Sequence, residues 1–162
     1  MWHVIAFNTL FLICCPYALW RGGAPERLAA AMEVVAVVST AMVQALFRTN
    51  RYYVDFSLGI FLIDSAFMVA LCGIALTADR FWPMAAAAFQ VADIIVHLSK
   101  FVVPDIASLG YAVGITAWGY PKVILFAIGT RRHQQRLVRY GLDPSWSRAR
   151  PMRNVRISAR NR

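Results

Sequence analysis

Apolar residues in this chain come in five long blocks, with no strand-like alternation between them. The blocks run over residues 2–20, 28–47, 56–76, 81–103 and 106–130, separated by short polar connections. Each is about 19 to 25 residues long, which matches a helix crossing a hydrocarbon layer about 30 Å thick. The pattern predicts an all-α transmembrane bundle of five helices over residues 1–130, followed by a basic tail over 131–162. The tail is expected to start as a continuation of the fifth helix. Gly141 would end that helix, and largely irregular chain would follow.

The connections carry their own signals. Arg21-Gly22-Gly23-Ala24-Pro25-Glu26-Arg27 reads as a turn, with paired glycines ahead of a proline. Thr77 to Arg80 is so short that the third and fourth blocks should form a tight antiparallel hairpin. Trp82 and Pro83 suit the start of a helix at a membrane interface. Tyr52 and Tyr53 suit the interface in the connection from Arg48 to Asp55. Pro104-Asp105 marks the end of the fourth block. Pro16 and Pro121 fall inside blocks, where proline removes one backbone hydrogen bond and is expected to kink or interrupt the helix. A cleaved signal peptide needs a positive start and small residues at its end. The first block has only His3 ahead of it and ends in Leu19-Trp20-Arg21, so it is expected to be a retained span.

The fourth block, Phe81 to Val103, organises the rest. It carries Gln90, Asp93, His97 and Lys100 at a spacing that returns to one face of a 3.6-residue helix. A polar stripe on a membrane helix must face other helices or water, not lipid. Counting about 1.5 Å per residue from the predicted inner ends puts Asp64 and Asp93 both near ~20 Å. The same count puts Asn8 near ~18 Å, Gln90 near ~15 Å, Lys122 near ~12 Å and His97 near ~25 Å. Two carboxylates at one depth on adjacent helices would not both stay charged, unless one pairs with Lys122. Glu33 lies nearer the inner face, where pairing with Arg27 or reaching toward water is expected. Gly110 and Gly114 form a GxxxG pair, a close-packing signal between membrane helices.

Composition agrees with a membrane chain: 59% of the residues are hydrophobic and the mean hydropathy is +0.53. The net charge of +9 is uneven, because ten of the 17 Lys and Arg lie from Arg131 onward. Arg131, Arg132, Arg136 and Arg139 are candidates for binding anionic lipid or an acidic partner, at roughly 1 kcal/mol per residue near a charged membrane surface. Nucleic acid is a weaker expectation, since no binding module is present. Arg21, Arg27, Arg80 and the tail lie on one side, with Arg48, Arg51 and Lys100 on the other. The positive-inside rule therefore predicts a cytoplasmic C-terminus and an external N-terminus.

Cys14, Cys15 and Cys72 all sit in apolar blocks and suggest buried small side chains, not a disulfide framework. No Cys/His metal spacing is present, and no metal site is expected from the sequence. A b-type haem needs two histidines at similar depth. His3 lies at the very end of the first block, so no cofactor is expected either. HExxH, GxSxG and phosphate-binding glycine loops are all missing, and an enzyme is not expected.

Three stretches carry a resemblance: Ala18-Leu19-Trp20-Arg21-Gly22-Gly23, Asp79-Arg80-Phe81-Trp82-Pro83, and Arg139-Tyr140-Gly141-Leu142-Asp143-Pro144-Ser145-Trp146. In these the chain resembles small polytopic bacterial membrane proteins of unassigned function. The resemblance implies a bacterial inner (cytoplasmic) membrane and no activity. Two functions are left open. The first is an accessory or interaction subunit that packs against other membrane subunits or itself, its tail on lipid or an acidic partner. The second is a small proton or ion conductor using Asp64, Asp93 and His97.

Overall fold

The computed structural model describes residues 2–46, 58–103 and 108–141, together with residues 143 and 146. These form five α-helices: α1 (Trp2–Arg21), α2 (Ala24–Leu46), α3 (Leu58–Thr77), α4 (Trp82–Val102) and α5 (Ser108–Tyr140). Among the described residues there is no strand. Helices α2, α3 and α4, and the stretch of α5 from Val113 to Tyr140, are long and apolar enough to cross a membrane. Helix α1 is equally apolar in character, and its 20 residues give roughly 30 Å. The connection from Arg48 to Asp55, with Arg51, Tyr52 and Tyr53, lies outside the described residues, as do Pro104, Asp105 and the tail from 147 onward.

Each helix packs on its sequence neighbours, and α1 also packs on α5, which closes a ring. A thinner contact joins α2 to α5 across that ring. Close backbone approaches fix the directions. Gly59 of α3 lies against Val43 of α2, and Gly114 of α5 lies against Val96 of α4. Phe7 and Arg21 of α1 meet Gly119 and Gln134 of α5, so these two helices run parallel. Gly110 is different: a side chain there would meet nothing within 4 Å. Of the GxxxG pair, Gly114 is packed inside the bundle, while Gly110 faces open space.

The prolines do not interrupt their helices. Both α1 and α5 continue through Pro16 and Pro121. Each proline forfeits one backbone bond, and neighbouring helices hold the rest of the rod together. At 33 residues α5 is about 50 Å long, more than the hydrocarbon needs, so its arginine-rich end projects beyond it. Gly141 ends it as expected, with φ 71° and its N–H donating to the Leu137 carbonyl at 2.9 Å.

The ring is not uniform inside. Toward the α1–α2 turn it is a dry plug of small and aromatic side chains. Cys15, Ala18, Ala29, Ala30, Leu71, Trp82, Ala86, Val123 and Phe126 are all buried there. Small residues let helix backbones approach without leaving voids, the usual basis of packing in a lipid solvent. Trp82 and Phe126 meet edge to face at 5.7 Å.

Below the plug, the three resemblance stretches converge. Glu26 Oε1 accepts hydrogen bonds from Arg80 Nη1 at 2.5 Å and from Trp82 Nε1 at 2.8 Å. Arg80 Nη2 donates to Asp143 Oδ2 at 2.7 Å, and Arg136 Nε donates to Asp143 Oδ1 at 2.8 Å. His133 Nδ1 lies 2.5 Å from Asp143 Oδ2. Gly23 allows this network to form, because a side chain there would come within 3.0 Å of both Glu26 and His133. Trp146 packs against the core just beyond. The start of the tail is thus fastened to the bundle.

Partial burial pushes the Asp143 carboxyl up, but the hydrogen bonds from His133 and Arg136 and the charge of Arg80 outweigh it. The net effect holds Asp143 below its ordinary value. A lowered acid contributes stability above its unfolded pKa of about 3.9 and loses it as pH falls through the folded value. The protection factors of the amides from Leu137 to Gly141 should therefore stay high from neutral pH down to about pH 4 and fall below it. Asp143→Asn should give fast exchange at neutral pH, and unchanged protection in that variant would show that the network does not fasten the segment.

Candidate functional site

Above the plug the ring opens into a polar cleft of about 360 Å³. Its lining includes Asn8 of α1, Glu33, Thr40 and Gln44 of α2, Asp64 of α3, Asp93 of α4, and Thr116 and Lys122 of α5. Every helix contributes one polar group or more. The Asn8–Gln44 side forms the rim, since Asn8 and Ala41 are exposed. Glu33 and Lys122 form the floor toward the plug, both buried.

Helix α4 supplies the wall. Gln90, Asp93, His97 and Lys100, the stripe expected from spacing, are all buried. Gln90 Nε2 donates to the Asp64 carbonyl at 3.3 Å and to Asp93 Oδ2 at 3.4 Å. Its Oε1 accepts from Lys122 Nζ. Lys122 Nζ also lies 3.8 Å from Asp93 Oδ2 and 5.6 Å from the centre of the Phe67 ring. Gln90 thus acts as a bridge between the Lys122 ammonium, the Asp93 carboxylate and the backbone of α3.

His97 Nε2 lies 3.1 Å from Asp64 Oδ2. That contact lacks hydrogen-bond geometry, so Nε2 has no hydrogen-bond partner among the described residues. The other ring nitrogen, Nδ1, is 2.9 Å from Tyr111 Oη. Rings of Phe61 and Tyr111 pack edge-on against the imidazole at 6.4 and 5.8 Å. One oxygen of Asp64, one of Asp93 and one nitrogen of His97 fall within 4.8 Å of one another. Asp93 Oδ1 and Glu33 Oε2 are also buried without a hydrogen-bond partner among the described residues.

Glu33 corrects the expectation that it pairs with Arg27 or reaches water. It points into the cleft and is 4% exposed. Arg27 instead donates to the Trp20 carbonyl at 3.2 Å. The depth count failed for Glu33 because it assumed a straight path to the inner surface, and the plug blocks that path. Asn8, Asp64, Asp93 and Lys122 do line one cleft, with Gln90 and His97 held against it. Gly110 stands apart from the site, and Gly114 seats α5 on α4 one turn from Tyr111. His3 lies in the first turn of α1, and its side chain lies outside the described residues. Arg131, Arg132 and Arg139 are exposed on the projecting end of α5, while Arg136 is turned to Asp143.

Sequence reasoning missed the metal-ligand spacing of Asp64, Asp93 and His97, because the donors sit on two helices. It also missed the Glu26–Arg80–His133–Asp143 network. The available signal was that Glu26, the Arg80–Trp82 link and the start of the tail all fall at the same predicted side of the membrane. No protein-family profile, curated protein or solved structure matches the chain.

In formal charge, the cleft holds three carboxylates and one ammonium, leaving an excess of two negative charges. Removing one member of a buried ion pair is expensive, typically about 3–5 kcal/mol, because the partner is left uncompensated. Lys122→Met should therefore lower the melting temperature of the detergent-solubilised protein clearly. Adding Asp93→Asn should recover a substantial part of the loss. Equal melting of wild type and Lys122→Met would show that the ammonium does not balance the cleft.

Proposed function

We propose that the chain is a small multi-pass membrane protein that takes a cation into the bundle and passes it across. The observation that supports this most directly is the surplus of acidic side chains over basic ones in the cleft. Glu33, Asp64 and Asp93 come from three helices and meet a single lysine inside hydrocarbon. Such an arrangement attracts cations, and intramembrane ionisable groups of this kind mark ion pathways.

The cation enters past Asn8, Thr40 and Gln44 and is held among Asp64, Asp93 and His97. Lys122 is the resident counter-charge that the cation must displace from Asp93. Glu33 lies deepest, between this position and the plug. The plug of Phe67, Leu71, Val123 and Phe126 closes the far side. Passage therefore proceeds as a carrier does, by parting of helices that now touch, and not through a standing pore. With the positive-inside rule, the rim faces outward and the arginine-rich end lies in the cytoplasm of a bacterial inner membrane.

One observation favours a role as an accessory subunit as well. Arg131, Arg132 and Arg139 form an exposed basic collar where α5 leaves the apolar region. That collar suits anionic lipid headgroups or an acidic partner. It fixes the protein at a surface and leaves the charge of the cleft without a role, so it is the second reading.

Reconstitution into liposomes tests the carrier. Wild-type protein should collapse an imposed gradient of protons or metal cations, read by an entrapped dye. The double variant Asp64→Asn, Asp93→Asn should fall to the level of empty vesicles. Flux unchanged in the double variant, with the protein folded and inserted, would remove the cleft from the path.

A further inference from the structure

We propose that Asp64, Asp93 and His97 form a site for one divalent first-row transition-metal ion, of the Zn²⁺ or Mn²⁺ kind. The inference rests on the cation reading above and names the class of cation.

The donor set is the first argument. Two carboxylates and one imidazole, without a thiolate, suit Zn²⁺ or Mn²⁺ better than the all-oxygen preference of Ca²⁺ and Mg²⁺. The distances fit a small ion. Ligands around a tetrahedral ion at about 2.1 Å stand roughly 3.4 Å apart. His97 Nε2 and Asp64 Oδ2 are already 3.1 Å apart. The widest separation in the trio is within 4.8 Å, which a side-chain adjustment of about an ångström closes.

The surroundings are built as metal sites usually are. A ligating histidine normally holds its second nitrogen in a hydrogen bond, which fixes the ring. Tyr111 Oη does this for His97 Nδ1 and leaves Nε2 for the cluster. Gln90 does it for Asp93 by holding Oδ2, while Oδ1 stays without a hydrogen-bond partner among the described residues.

Independent support comes from Glu33, which belongs to a different helix. It is 96% buried, if its 4% exposure is subtracted from the whole, and it lines the same cleft with Oε2 unpartnered among the described residues. A buried carboxylate oxygen without a donor is costly unless a positive ligand answers it. Three carboxyl groups against one ammonium give the cleft an acidic surplus that a divalent ion would answer.

Lys122 gives the site its second property. Its ammonium sits 3.8 Å from Asp93 Oδ2, on the carboxylate the metal would take. Metal and ammonium therefore compete for Asp93. Swinging Lys122 back onto Asp93 would expel the ion, which makes the site one of exchange and not of permanent storage.

The test uses the untagged full-length protein in detergent, titrated with Zn²⁺ and Mn²⁺, with Mg²⁺ and Ca²⁺ alongside. One Zn²⁺ or Mn²⁺ per chain is expected, with much weaker binding of Mg²⁺ and Ca²⁺. Asp93→Asn and His97→Gln should each weaken binding roughly tenfold or more, and Tyr111→Phe by about 10- to 100-fold. Lys122→Gln should tighten it several-fold, a change of sign that loss of folding cannot produce. Co²⁺ should give weak visible bands that vanish in His97→Gln.

Binding no tighter than that of Mg²⁺ would overturn the metal site. So would stoichiometric binding indifferent to Asp93→Asn and His97→Gln, or weaker binding in Lys122→Gln. The two readings separate cleanly, because metal binding is read without a gradient. Proton flux in liposomes without metal binding overturns the metal and leaves the carrier. Metal binding without any flux confirms the site and removes the carrier.

Discussion

The low dielectric of hydrocarbon decides where every ionisable side chain in this bundle goes. An uncompensated charge there costs several kcal/mol even after relaxation, comparable with a large share of a small domain's stability. The helices answer by facing their charges toward one another. Gln90 gathers Lys122, Asp93 and the backbone of Asp64, and His97 stands against Asp64. The outward faces of α2, α3 and α4 are left to Val35, Val38, Leu62, Val69, Ile95 and other exposed apolar residues. In lipid such faces are ordinary surface and not a docking patch.

The same constraint divides the interior in two. Small residues make the plug tight, and charged residues keep the cleft open. A cleft lined by like charges cannot collapse into a packed core, because carboxylates brought together would repel and lose hydration at once. The plug keeps that polar space from joining the second ion network at Glu26, Arg80 and Asp143. The protein thus holds two charged clusters with an apolar floor between them.

Much of this was legible in the residue pattern, for particular physical reasons. The stripe of Gln90, Asp93, His97 and Lys100 obeys helix periodicity, and burial of all four follows from the cost of polar groups in lipid. The similar depth of Asp64 and Asp93 followed from counting residues along straight rods. Counting failed at Glu33, whose neighbours across the ring decide its surroundings and are not neighbours in sequence. Gly114 packs on Val96 and Gly110 faces open space, because a GxxxG spacing does not say which helix covers each glycine. The fastening of Asp143 to Arg80 and His133 joins positions more than 50 residues apart in one case and ten in the other. Composition alone gave the tail as irregular, because nothing local marks Asp143 and Trp146 as docking residues.

Closure of the ring by α1 against α5 has a bearing on biosynthesis. The acids of the cleft reside on α2, α3 and α4, while the lysine that pairs with Asp93 is on α5. During stepwise insertion the negative groups enter the lipid first, and their fixed countercharge emerges only when the final rod leaves the ribosome. The polar centre is therefore born incomplete and finished late. A chain truncated anywhere before Lys122 would present the quality-control proteases of the cell with exposed acids that have nowhere to hide.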